Sequence, residues 1–115
     1  MKDDKKNTVL KSCLAKAVNL AGLVDYANDS VVSKTILDKP VGTITLFAFD
    51  AGQGLSEHQA PYDAFVQVVD GTGIIIIDGK EIETPTGSII IMPANIPHAV
   101  KAKQRFKMLL TMIRA

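Results

Sequence analysis

An all-β sandwich or barrel is the fold class that this sequence predicts, and three observations carry the prediction. From Ser30 onward, short runs rich in β-branched and aromatic residues recur at intervals of about ten residues. Gly, Pro, Asp and Asn separate these runs where a βαβ fold would place helical patterns. Between IIII and KEIE stands Asp78-Gly79, a hairpin signal, because a two-residue type I′ loop needs positive φ at both central positions.

The elements follow in chain order. Residues 1–12 mix Lys, Asp and Asn with little apolar content, too little to compensate the entropy of ordering, so a mobile arm is expected there and a single barrel domain over 13–115. From Leu10 to Ala21 the apolar positions Leu10, Cys13, Leu14, Ala17, Val18 and Ala21 have helix-like spacing; alternatively, Asn19 caps a single helical turn that Gly22 cuts short. Strands are then expected at VVSKTIL, at TITLFAFD after the turn DKPVG, and at AFVQVVD, GIIIID, KEIET, SIIIMP, AVKA and FKMLLTMI. Several are apolar on both faces: in FKMLLTMI, Phe106, Met108, Leu110 and Met112 share one side, and Leu109, Thr111 and Ile113 the other. A small barrel has one interior, so the second face calls for another layer or a second subunit, and a homodimer is expected. Lys101, Lys103, Arg105 and Lys107 alternate in KAKQRFK as on an exposed or edge strand.

Composition narrows the function classes. A chain of 115 residues holds one domain. Thirteen Lys+Arg against twelve Asp+Glu lack the basic excess of a general nucleic-acid binder. No apolar run approaches the roughly 20 residues of a membrane-spanning helix, so neither nucleic acid nor membrane is an expected partner. Lys11 and Lys16 interrupt the stretch that a secretory signal would keep apolar, and the lone Cys13 forms no internal disulfide; the cytoplasm is the default location. With two histidines and one cysteine, any metal or acid–base hypothesis passes through a short list of side chains.

Two segments carry more specific information. The stretch from Gly52 through His58 to Gly71 resembles the first motif of the cupin family, G-x5-H-x-H-x3,4-E-x6-G, and Gly87 through Pro93 to His98 resembles the second, G-x5-P-x-G-x2-H-x3-N. Asn95 stands where the family has Gly, and Asn is the side chain that best tolerates left-handed geometry. The chain is thus similar to the small single-domain, RmlC-like cupins of the cupin 2 conserved barrel type. That likeness implies a double-stranded β-helix, or jelly-roll barrel, behind a short arm.

The resemblance also implies a metal site, and the match is partial. In the family, three His and one Glu hold a divalent ion such as iron, manganese, nickel or zinc. His58 and His98 fall on two of these positions, whereas Ala60 occupies the second His position and Ala64 the Glu position. Methyl groups coordinate nothing, and two neutral imidazoles fall short of the three protein ligands usual in catalytic sites. Glu57 and Gln59 alternate away from His58, leaving Asp63, brought in by a bulge, as a substitute. The same register predicts a pocket lined by His58, Ala60, Tyr62, Ala64, Val66 and His98, with Met108 and either Phe47 and Phe49 or Leu46 and Ala48.

These residues frame three functional readings. One is a cupin that binds a small, largely apolar organic ligand in the barrel beside a degenerate metal site, with no assured cofactor. A second is a metal-dependent enzyme of dioxygenase or isomerase type using His58, His98 and a substitute ligand. The third is a scaffold acting through its oligomer surface.

Overall fold

The computed structural model describes residues 7–115 and contains ten strands arranged in two sheets. In chain order these are β1 (Thr8–Val9), β2 (Val31–Lys39), β3 (Gly42–Phe49), β4 (Gly54–His58), β5 (Ala64–Asp70), β6 (Thr72–Ile77), β7 (Lys80–Pro85), β8 (Ile89–Met92), β9 (His98–Lys101) and β10 (Phe106–Ile113). One sheet has six strands in the order β1-β2-β3-β10-β5-β8, the other four in the order β4-β9-β6-β7. The jelly-roll class expected from the sequence is the fold observed, with two strands, β1 and β4, beyond those that the apolar pattern had marked. Gly54–His58 is mostly exposed, so its polar sequence concealed a strand.

Alternation along the strands builds the barrel core. Phe49, Ala64, Val66, Val68, Met92, Phe106 and Met108 of the larger sheet meet Ile75 and Val100 of the smaller one, all nearly inaccessible to solvent. Phe49 and Phe106, cross-strand partners, stack with ring centroids 4.7 Å apart. Such a pair adds about 0.5–1.5 kcal/mol beyond the area it buries. The parity of β3 is thereby decided: Phe47 and Phe49 face the barrel, while Leu46 and Ala48 face outward.

The outward face finds its cover in the segment before β2. Leu20, Leu23, Val24 and Tyr26 pack on Leu46, Ala48, Val69 and Leu109, making a second apolar layer outside the barrel. Polar bonds fasten this strap. Tyr26 Oη donates to Asp70 Oδ2 at 2.5 Å, and its ring centroid lies 5.3 Å from the Arg105 guanidinium and 4.9 Å from the Lys107 ammonium. Asp50 accepts from Arg105 Nε at 2.8 Å and from the Asp29 N–H at 2.7 Å. The Arg105 bond, followed by the Asp29 amide, holds the Asp50 carboxyl below its usual range.

Three expectations need correction here. Of the arm over 1–12, residues 1–6 lie outside the described residues; Thr8–Val9 is docked as β1 on β2, with the Leu10 N–H donating to the Ile36 carbonyl. Backbone pairing compensates there for the sparse apolar content. In place of a helix from Leu10 to Ala21 there are two short 3₁₀ turns, Lys11–Cys13 and Ala21–Leu23. The N-cap of the second turn is Leu20, one residue after the Asn19 expected there, and Asn19 Oδ1 accepts the Gly22 N–H at 2.9 Å from the preceding position. Finally, Lys107 is not on an exposed edge. It lies on β10, in the middle of the larger sheet, buried under the strap and donating to the Ala21 carbonyl at 2.5 Å.

Turn chemistry accounts for the sharp connections. Asp78 and Gly79 have φ of 52° and 80° and join Ile77 to Lys80 as the two-residue loop expected. Gly71, with φ of 72°, turns β5 into β6, and a Cβ there would come within 2.4 Å of the Arg105 carbonyl oxygen. At Gly79 a Cβ would meet nothing within 4 Å. Gly79→Ala should therefore cost about 1–2 kcal/mol, the left-handed penalty alone. Gly71→Ala should cost at least twice that, since the backbone must also move; thermal unfolding of the two variants side by side checks the order.

Candidate functional site

The two histidines lie opposite each other on adjacent strands. His58 ends β4, His98 begins β9, and they are register partners. Four residues of β4, Leu55 to His58, span the same ladder as three of β9, Val100 to His98. This bulge has a definite consequence. Without the extra residue, Glu57 would oppose His98; with it, His58 does. Leu55, Ile77 and Val100 supply apolar wall on the same side of the smaller sheet, Ile77 being the partner of His98 on β6.

The imidazoles have unequal surroundings. Their ring centroids are 4.5 Å apart with planes at 79°, edge against face. His58 is exposed, and its Nδ1 lies 2.8 Å from the Ser56 carbonyl oxygen. A carbonyl only accepts, so Nδ1 carries the proton in the neutral ring and Nε2 is left with a free lone pair. His98 is 2% exposed, and its shielded Nδ1 has no hydrogen-bond partner. Burial lowers the His98 pKa below its ordinary 6.5, the nearby His58 charge adds to this, and the Ile96 backbone, close to the ring but outside hydrogen-bond geometry, opposes them. Neutral imidazole is thus the resting form at pH 7.

The other expected pocket residues separate into two groups. Ala64, Val66 and Met108 are fully buried in the barrel core, and Phe47 is half-buried beside them, stacked on Phe49 at 5.8 Å. Ala60 is half-buried, and its carbonyl accepts the Asn95 N–H at 2.7 Å. Asn95 itself has φ of 64°, the left-handed geometry that the second motif requires of its central turn. Tyr62 is placed elsewhere. It lines a 410 Å³ cavity on the outside of the larger sheet, with Phe65, Ile91 and Thr111. Residues 59–63 leave the ladder, so strand parity does not extend to Tyr62.

Asp63 follows Tyr62 outward. Its Oδ1 accepts the Ala94 N–H at 2.8 Å, and its side chain borders the same outer cavity, so it is no substitute ligand for the histidine pair. Among the described residues no group of three or more His, Cys, Asp or Glu side chains converges where it could hold a metal ion. Two imidazoles with no anionic partner do not fit a tightly held divalent ion. Reasoning from the sequence missed the Ser56 carbonyl that orients His58 and the bulge that aligns the pair. Neither leaves a mark in side-chain identity.

Comparison with known proteins agrees with this architecture. The family model described as "Cupin domain" matches residues 45–113. A conserved protein of unknown function from Streptococcus pyogenes is 36% identical, covering 88% of this chain and 89% of its own, with a TM-score of 0.84. A cupin 2 conserved barrel domain protein from Leptotrichia buccalis is 42% identical over 84% of this chain and 47% of its own, with a TM-score of 0.81. A cupin superfamily protein from Desulfitobacterium hafniense is 27% identical over 87% of this chain and 92% of its own, with a TM-score of 0.83. No curated protein matches.

Burial of neutral His98 has a consequence for stability. A histidine whose folded pKa is depressed contributes fully above its unfolded value and loses that contribution as pH falls toward the folded one. The melting temperature should hold between pH 8 and 7 and decline below about 6.5, and His98→Leu should flatten that decline. The Asp50 contribution is lost in a separate window, below its ordinary 3.8, so melting curves from pH 8 to 5 isolate the histidine.

Proposed function

The chain belongs to the cupin domain family, and on that basis we propose that it is a homodimer binding a small, largely apolar organic molecule at the His58–His98 pair, without a tightly held metal ion. The observation that carries this reading is the unpartnered Nδ1 of buried, neutral His98. A buried polar atom left unpaired costs about 1–3 kcal/mol, which a polar group of a ligand or a bridging water would recover. The free Nε2 of His58 offers a second contact at the accessible side. Leu55, Ile77, Val66 and Val100 favour an organic body that is mainly hydrocarbon. A reducing compartment such as the cytoplasm suits the free Cys13.

The metal-dependent reading would require a third, anionic ligand, and Ala60 and Ala64 stand where the family resemblance puts His and Glu. Native mass spectrometry and elemental analysis of protein purified without an affinity tag test the proposal. An organic adduct, absent from His98→Ala, is expected together with metal far below one ion per chain. The melting temperature should be unchanged by EDTA, since a bound ion stabilises the folded state by mass action. Near-stoichiometric metal that is lost in His58→Ala, with a lower melting temperature in chelator, would overturn the metal-free reading. A wild-type protein free of any adduct, with a melting temperature unmoved by a panel of aromatic and aliphatic acids and alcohols, would overturn ligand binding.

A further inference from the structure

The strap covers only half of the outer face of the larger sheet. Beyond it, ladder register aligns one outward row across five strands: Leu37 on β2, Ile44 on β3, Thr111 on β10, Phe65 on β5 and Ile91 on β8. At about 4.8 Å per strand the row is roughly 19 Å wide. Two hollows lie along it, one of 240 Å³ bordered by Leu37, Ile44 and Ile113, the other of 410 Å³ bordered by Phe65, Ile91 and Ile113. Between and beside them Val41, Ile89, Ile91 and Ile113 are 55–70% exposed. Six large hydrophobic side chains are exposed among the described residues; three of these four, Val41, Ile91 and Ile113, border the two hollows, and Ile89 stands on the neighbouring row two residues from Ile91.

We infer that the trough is the face through which a second copy of this chain docks, sheet against sheet, about a two-fold axis running along β10. The inference rests on the homodimer proposed above and assigns it a surface. Residues 1–6, MKDDKK, hold five charged side chains and are poor candidates to fill an apolar groove. A second copy brings what the groove lacks. Exposed Val41 and Ile91 border the two hollows, so each copy offers both projection and recess, as a self-complementary interface demands. The uncovered half of the five-stranded face spans on the order of 250 Å² in projection, which with its corrugation puts each partner's share at the low end of specific interfaces, below the roughly 800 Å² of a standard one.

Charge selects the orientation. Lys39 borders the hollow at the β2–β3 end of the trough and Asp63 the hollow at the β5–β8 end. Lys39 pairs in register with Gly42, itself the partner of Ile113, while Asp63 precedes Ala64, the partner of Met112; the two charges therefore lie at nearly the same height along β10. An axis parallel to β10 reverses the row and sets Lys39 of each copy over Asp63 of the other. An axis along the row would instead set like charges together. Lys39 also meets Asn7 Oδ1, and Asp63 Oδ1 is taken by the Ala94 amide, which leaves Asp63 Oδ2 for the partner.

Sedimentation velocity of the full chain from about 1 to 100 µM, with circular dichroism to verify folding, tests this. Wild type should sediment as a dimer. Ile91→Glu and Ile113→Lys, both at positions already exposed in the protomer, should raise the dissociation constant at least tenfold, and the milder Ile91→Thr less. Leu14→Glu, exposed but outside the trough, should have no effect. Lys39→Glu and Asp63→Lys should each weaken the dimer, by roughly 2- to 10-fold, and the double swap should restore it. A wild-type monomer throughout would overturn the dimer and with it this interface. A dimer indifferent to Ile91→Glu and Ile113→Lys would overturn the interface alone, and failure of the double swap to restore binding would overturn the two-fold arrangement.

Discussion

The larger sheet is apolar on both faces, and most of the architecture follows from covering both. Its inner face closes the barrel against the smaller sheet through the Phe49–Phe106 stack and the aliphatic residues around it. The outer face cannot be left in water, because contiguous apolar patches of several hundred Å² promote association. The chain covers half of it internally by laying Leu20, Leu23, Val24 and Tyr26 across β3 and β10. That solution forces an unusual detail: Lys107, pointing outward from a central strand, is trapped under the strap. Its charge is accommodated by the Ala21 carbonyl and the Tyr26 ring, while the Tyr26 hydroxyl turns to Asp70. Burial and that Asp70 hydrogen bond push the phenol pKa upward, so Tyr26 stays a neutral donor.

Much of this was legible from the sequence because it depends on side-chain pattern. Period-two alternation marked the strands, and Asp78-Gly79 marked a hairpin whose backbone adopts positive φ at both residues. Doubly apolar strands announced the need for a second layer. What the pattern could not tell was which segment would supply it. LAGLV reads as a weak helix fragment, since only contact with Leu46 and Ala48 gives those residues a role. For the same reason Lys107 resembled an edge residue: alternation gives its face, but the cover over that face is a tertiary fact.

At the site, the residue types were readable and the backbone was not. His58 and His98 stood out as the two histidines of the chain, each on a family position. Their pairing depends on a bulge between Leu55 and His58, and strict alternation from Leu55 would have turned His58 to the wrong side. Tyr62 shows the opposite failure, because alternation does not hold through residues 59–63, and Asp63 is not swung inward by a bulge. Both side chains lie on the outer face and border the trough, and Asp63 also anchors the Ala94 turn.

The two alanines at family ligand positions are consistent with the rest of the barrel. Ala64 is packed in the core, opposite Met92 on β8 and Met112 on β10. A carboxylate there with no ion to pair would be a buried charge, costing several kcal/mol even after relaxation. A methyl group carries no such penalty and shares the core with Met92, methionine being the most adaptable of apolar side chains. His98 presents the converse case. A single buried imidazole can stay neutral, as its depressed pKa indicates, and so it survives in the apolar wall where an unpaired carboxylate would not. Tolerance without an ion thus separates the carboxylate position, which holds Ala64, from the imidazole positions, which hold His58 and His98; it does not explain Ala60, which stands at an imidazole position.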